Sequence, residues 1–219
     1  IFCDFHQEKA PFFYQEVSDH NVLLKRCQEK LDDFNAMSKT QMNLVLFTNF
    51  VEHVSRIVRV CKLPLGNALC VGVGGSGRKS VANLASSVLD VDIMSIEIAK
   101  NYGVNEWHED CARILIRAGI KGKPINFLFS DTQVAKESFL EDISNILNTG
   151  EVPNLYTMED KMMIQDDCQK RAEADGAVSP AAIFQWFVQQ CRKNLHIIMC
   201  MSPIGAAFRN RLRNYPSLV

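Results

Sequence analysis

The feature that most constrains this chain is the nine-residue turn GVGGSGRKS at 72–80, set between an apolar run and an amphipathic one. Gly72, Gly74, Gly75 and Gly77 allow backbone dihedrals that other residues avoid and let the chain pass close to a bound group. A turn of this kind closes a strand and opens a helix, so that backbone N–H groups and a helix N-terminus converge on one anion. The preceding run, 67–73, is predicted to be a strand. The run that follows places Val81, Leu84, Ala85 and Val88 at helical core spacing.

The same alternation continues along the 219 residues. Residues 22–34 have helical spacing. Ser38 and Gln41 match a capping box, expected to open a helix that buries Phe47, Phe50, Val51, Val54, Ile57, Val58 and Cys61 and turns Glu52, His53, Arg56 and Arg59 outward. Pro64 and Gly66 end it. Further strands are predicted at 91–98, 125–129 and 195–201. Further helices are expected from Asn105 to a stop at Gly119, around 139–147 with a stop at Gly150, from Ser179-Pro180 onward, and at 204–213. The polar stretch 158–175 reads as a solvated helix or insert with no chemistry assigned. Strands alternating with helices at this spacing imply parallel βαβ units and a sheet covered on both faces.

Composition removes several classes of function. Lys and Arg total 24 against 25 Asp and Glu, so the chain lacks the basic excess that nucleic acid or an anionic membrane surface demands. No apolar run approaches the roughly 18 residues of a membrane span. The eight cysteines form no CxxC pair, and no secretory signal precedes them. They are expected to be reduced, apolar core residues in a reducing compartment. His53, His108 and His196 read as surface or satisfied histidines, Trp107 and Trp186 as core, and Arg209, Arg211 and Arg213 as a solvated face. The start at Ile1 and the helix running toward Val219 suggest a piece of something longer.

Two ligands compete for the turn. Gly72-x-Gly74-x-x-Gly77 meets the dinucleotide fingerprint, with Glu97 20 residues beyond Gly77 as the ribose-binding acid. The phosphate-loop pattern GxxxxGK[ST] is met only in part, with Arg78 in the lysine place and Lys79 in the hydroxyl place. Later strands favour the second reading. Asp131 follows 125–129 and Ser202 follows 195–201, where an ATPase needs an acid and a polar residue near the γ-phosphate.

With these pieces in order, the sequence resembles the fourth AAA+ module of the motor ring in axonemal dynein heavy chains. The matching stretches are the opening IFCDF, MNLVLFTNFVEHVSRIVRV at 42–60, GNALCVGVGGSGRKS at 66–80, NEWHEDCARIL at 105–115, FLFSDTQVAKESFLEDISNILNTGEVPNL at 127–155 and LHIIMCMSPIGAAFRNRLRNYPSLV at 195–219. The resemblance implies an α/β P-loop NTPase (AAA+) fold, a three-layer sandwich around a central parallel sheet, without the C-terminal helical lid. Residues 1–41 would be a lead-in from the preceding module, and 42–219 the AAA+ large α/β subdomain, truncated at its C-terminal end. It also implies an ATP-driven microtubule motor of the cytoplasm, cytoskeleton and ciliary axoneme. The implied partners are the neighbouring AAA+ modules and, through the rest of the heavy chain, intermediate chains, light chains and microtubules; neither nucleic acid nor membrane is among them.

Carried over by position, Gly72, Gly74, Gly75, Ser76, Gly77, Arg78, Lys79 and Ser80 would form the Walker A loop for ATP or ADP. Asp131 (Walker B) and Ser202 (sensor) would be the catalytic positions, with Ser130 and Asp131 as ligands to a poorly held Mg²⁺. The lysine place (Arg78), the hydroxyl place (Lys79), the acid pair (Ser130 and Asp131) and the sensor place (Ser202) are all altered. Arg78 meets phosphate as a fork rather than a point charge. Lys79 puts an ammonium where a hydroxyl should bind the metal, Ser130 lacks the acid, and Asp131 is shorter than glutamate. Losing one such preorganised group commonly costs about 10²–10³ in rate. The expected function is a nucleotide-binding module that regulates or scaffolds the ring with weak or no hydrolysis. The alternatives are an active Mg²⁺-dependent ATPase using Ser80 and Asp131, and an NAD-dependent oxidoreductase using Gly72, Gly74, Gly77 and Glu97.

Overall fold

A computed structural model describes residues 1–7, 13–38 and 41–218. A short antiparallel pair, β1 (Phe2–Cys3) and β2 (Gln15–Glu16), leads into α1 (His20–Met37). There follow α2 (Thr48–Lys62), β3 (Ala68–Val71), α3 (Arg78–Leu89), β4 (Asp92–Met94), α4 (Val104–Lys121) and β5 (Ile125–Ser130). After β5 come α5 (Ser138–Thr149), α6 (Met158–Ala174), α7 (Pro180–Asn194), β6 (Leu195–Met201) and α8 (Ala206–Asn214). Strands β3 to β6 make one parallel sheet in the order β3-β6-β5-β4.

Every residue of β5 and β6 is buried, as central parallel strands covered on both faces require. Alternate side chains go to opposite layers. Phe127, Phe129, Ile197 and Met199 join the core under α4, α5 and α7, whereas Leu128, Ile198 and Cys200 join the core under α1, α2 and α3. The result is the expected three-layer α/β sandwich. Trp107 anchors the first layer. It is fully buried, stacks on Phe139 at a centroid distance of 4.6 Å, and donates its indole N–H to Asp142 at 2.8 Å.

Several local expectations need correction. Ser38 ends α1 instead of opening α2, its backbone N–H donating to the Phe34 carbonyl at 2.8 Å. Helix α2 begins only at Thr48, so Phe47 is its N-cap and lies exposed. The strand expected over 91–98 stops at Met94. Helix α4 starts one residue after Gly103, before Asn105, and runs through Gly119 to a left-handed cap at Gly122, φ 62°. Gly119 is there for closeness: a Cβ would lie 2.4 Å from Phe187 Cε2 and 2.8 Å from Cys191 Sγ, so only glycine lets α4 approach α7. The stretch 158–175 contributes α6, which packs across α7 and α4 through Ile164, Cys168 and Ala172. Arg211 is not merely solvated, because it forms an ion pair with Glu137 at 2.6 Å.

His196 is buried on β6 with Nδ1 2.7 Å from the Gly66 carbonyl, the geometry of a neutral ring donating one N–H. Burial lowers its pKa below the ordinary 6.5 because the charged form is poorly solvated. Below about pH 6.5 the unfolded chain therefore binds the proton more readily, and stability falls as the pH drops. The melting temperature is expected to decrease on acidification from about pH 7 to about pH 5.5, and to decrease less in His196→Gln. Parallel melts of the two proteins check this; identical pH slopes would exclude the His196 contribution.

Candidate nucleotide site

The C-terminal ends of β3, β6 and β5 lie side by side, with β6 in the middle. β3 runs directly into the glycine turn, and pairing persists one residue further as the Gly72 N–H donates to the Met201 carbonyl at 3.1 Å. Gly75 and Gly77 have φ of 77° and 81°, the left-handed region that side chains resist. Gly77 is the N-cap of α3, and no side chain caps that helix. Its first amides, four orphans in any α-helix, therefore remain available to an anion.

The turn is open where it matters. A Cβ placed on Gly74 or Gly75 would meet nothing within 4 Å. Gly72 is covered by Ser76, whose Oγ would lie 2.7 Å from such a Cβ, and a Cβ on Gly77 would lie 3.8 Å from Phe50 Cε2 of α2. Arg78 folds back along the turn: Nη2 donates to the Val73 carbonyl at 3.3 Å, while Nη1 is buried and has no partner. A buried guanidinium N–H left unpaired is a donor that a phosphate oxygen would satisfy. Lys79 is exposed and Ser80 partly buried on the first turn of α3.

Beside the turn, Asp131 and Ser202 meet. The Ser202 backbone N–H donates to Asp131 Oδ2 at 2.8 Å, and the Ser202 hydroxyl accepts from the Ile204 N–H at 3.4 Å. Ser130 is drawn away. Its N–H and hydroxyl both donate to Gln133 Oε1, at 2.7 and 2.9 Å. The Gln133 amide in turn donates to Ser95 Oγ at 3.0 Å and to the Ile96 carbonyl at 2.6 Å. Gln133 and Ser95 were not singled out from sequence, although Ser130-x-x-Gln133 has the same spacing as the unrealised box at Ser38 and Gln41.

These residues fit a polyphosphate better than a divalent cation. The Ser130 hydroxyl donates to Gln133 and lies 2.9 Å from the Thr132 hydroxyl, and one Asp131 oxygen accepts from the Ser202 amide. Lys79 adds a positive charge on the first turn of α3. Among the described residues no three His, Cys, Asp or Glu side chains are grouped to hold a metal.

The dinucleotide reading also fails on geometry. Glu97 lies exposed beyond β4, at the opposite edge of the sheet from β3. Three strand spacings, about 14 Å, separate those edges, whereas the fingerprint needs its acid on the neighbouring strand. A larger cavity of about 810 Å³ lies against α4, floored by Ala112, Ile116, Leu155 and Tyr156; it contains no glycine turn or uncapped helix start.

Residues 42–219 match the family described as the P-loop-containing dynein motor region D4. The chain belongs to that family. This D4 region is 42% identical to dynein axonemal heavy chain 1 of Rattus norvegicus over 94% of the chain. It is 45% identical over its whole length to dynein axonemal heavy chain 2 of Mus musculus. It is 44% identical over 94% to the dynein-1-beta heavy chain, flagellar inner arm I1 complex, of Chlamydomonas reinhardtii. In each case the D4 region spans about 5% of the relative's length. Family membership gives the three-layer sandwich its place among α/β P-loop folds of the AAA+ kind, and implies nucleotide binding in general.

Proposed function

We propose that this D4 region is the fourth AAA+ module of an axonemal dynein heavy chain, holding ATP or ADP at residues 72–80 and relaying ring conformation between its neighbours with weak or no hydrolysis. One observation carries the reading: the turn is open above Gly74 and Gly75 and leads into an uncapped helix start. Backbone amides of the turn and of α3 would bind the phosphates, and Arg78 would unfold from the Val73 carbonyl to add its fork. Cleavage would be poor for reasons visible in the side chains. Asp131 is short and already occupied by the Ser202 amide, and Ser130 is spent on Gln133.

Residues 1–41 would be the lead-in from the preceding module and 42–219 its large α/β subdomain. The names of the relatives, axonemal and flagellar heavy chains, support a place in the ciliary axoneme as part of an ATP-driven microtubule motor. Neighbouring modules would be the direct partners; intermediate chains, light chains and microtubules would be reached through the rest of the polypeptide.

Ligand-dependent melting tests the reading. ATP or ADP at 100 times its dissociation constant should stabilise the protein by about 2.7 kcal/mol, with the shift unchanged when EDTA replaces Mg²⁺. A shift that requires Mg²⁺ would favour an active ATPase, and no shift with either nucleotide would refute the proposal.

A further inference from the structure

We propose that Gln133 is a specificity-determining residue of the nucleotide site: its amide fixes position 130 as a hydrogen-bond donor, and so shuts out the carboxylate that would draw Mg²⁺ to a bound nucleotide. The inference rests on the nucleotide reading above and names the residue that sets its metal preference. Position 130 ends β5 and lies two residues beyond Leu128, on the face that α3 covers. The acid pair of an ATPase begins there, and Mg²⁺ at such sites is held by one or two carboxylates together with the phosphates.

Backbone groups decide the orientation of the Gln133 amide at both ends. Its Oε1 lies 2.7 Å from the Ser130 N–H, which can only donate, and its Nε2 lies 2.6 Å from the Ile96 carbonyl, which can only accept. Turning the amide over would set donor against donor and acceptor against acceptor at those distances. The Ser95 hydroxyl oxygen accepts a second bond from Nε2 at 3.0 Å. Gln133 is only 7% exposed, so this clamp forms largely away from water, where a mismatched polar group is costly.

What faces position 130 is therefore an oxygen. The serine hydroxyl answers it by donating at 2.9 Å, and with that proton committed it accepts from the Thr132 hydroxyl, also at 2.9 Å. Ser130 is 1% exposed. A carboxylate in its place has no proton to give, and would set two acceptors against each other in a buried corner. Restoring the acid alone therefore leaves the site without a cation. Residues 130 and 133 have to change together.

The test uses the full-length chain that carries these residues, with two local readouts. Without nucleotide, hydrogen-exchange mass spectrometry should show the 125–134 peptide exchanging roughly tenfold faster in Ser130→Asp than in Ser130→Asn, which matches it in size and keeps a donor. With Gln133→Ala added, water can serve both backbone groups, and the Asp and Asn proteins should exchange alike. Loss of folding in Ser130→Asp but not in Ser130→Asn is the same result at its extreme. Electron cryomicroscopy with ATP and Mg²⁺ then reads the metal, in proteins that also carry Lys79→Ser to remove the competing ammonium. A cation beside residue 130 is expected with Ser130→Asp and Gln133→Ala together, and none with Ser130→Asp alone. Equal exchange of Asp and Asn beside an intact Gln133, a cation held by Ser130→Asp alone, or bound nucleotide without a cation in the combined variant would each overturn the proposal. No density for nucleotide at residues 72–80 would refute the function proposed above instead, with the exchange comparison still deciding how Gln133 treats position 130.

Discussion

Truncating Trp107 to alanine is expected to cost about 3–5 kcal/mol of stability. The indole is fully buried and lies against three rings at once, Phe139 at 4.6 Å, Phe129 at 5.5 Å and Phe127 at 6.5 Å between centroids. Those rings come from β5 and α5, so the side chain joins α4 to both the sheet and its neighbouring helix. Removing it leaves a void between rigid elements that cannot close on it, and takes the N–H donor at 2.8 Å from Asp142 Oδ2, which keeps only His108 Nε2 at 3.3 Å. In a chain of this length each kcal/mol lowers the melting temperature by about 2–4 °C, so a drop of about 10 °C should appear in a circular dichroism melt. Trp107→Phe keeps the stack and loses only the hydrogen bond, and its drop should be clearly smaller. A Trp107→Ala loss below about 1 kcal/mol would mean that the layer closes over the gap.

Gly74→Asp is expected to weaken ATP binding by roughly 100-fold or more while leaving the fold intact. Gly74 is absent from the left-handed positions, and a Cβ there meets nothing within 4 Å, so the new side chain meets neither strain nor clash. What it brings is a carboxylate beside the place where phosphate oxygens would sit. Like charges brought together at a binding face cost several kcal/mol, and about 1.4 kcal/mol corresponds to each factor of ten. Gly74→Ala supplies the control: the same backbone change without the charge, and binding close to that of the parent. Titration calorimetry on the three proteins decides it. Equal affinity in Gly74→Asp would place the nucleotide elsewhere.

The central strands were legible in the sequence because each is apolar but for one polar residue, His196 and Asn126. Leu195–Met201 and Ile125–Phe129 admit no surface position, and both became buried strands in the centre of the sheet. The edge strand was harder. Residues 91–98 look apolar enough to extend, but Ser95 bonds to Gln133 and Glu97 is exposed, so pairing with β5 ends at Met94.

One pattern appears twice with opposite outcomes. Ser38-x-x-Gln41 and Ser130-x-x-Gln133 are alike as strings. The first lies at the end of a helix already under way, where Ser38 serves as the C-cap. The second lies in a buried corner, where the glutamine has two further acceptors from the 95–96 segment. Local spacing could not tell them apart, because the difference lies in distant neighbours. The same reason hid the failure of Glu97: strand order is a tertiary fact, and two intervening strands undo a fingerprint that is correct in sequence. Helix α6 misled through its average polarity, since three small or apolar residues four apart, Ile164, Cys168 and Ala172, suffice to seat it.

β3 leaves one further consequence. Among the described residues its outer flank pairs with no strand, next to Val71 and Val73, both about half exposed. An extended peptide can lengthen the sheet there without any rearrangement. In isolation this chain should therefore self-associate as its concentration rises, and a short strand-forming peptide supplied in excess should keep it monomeric.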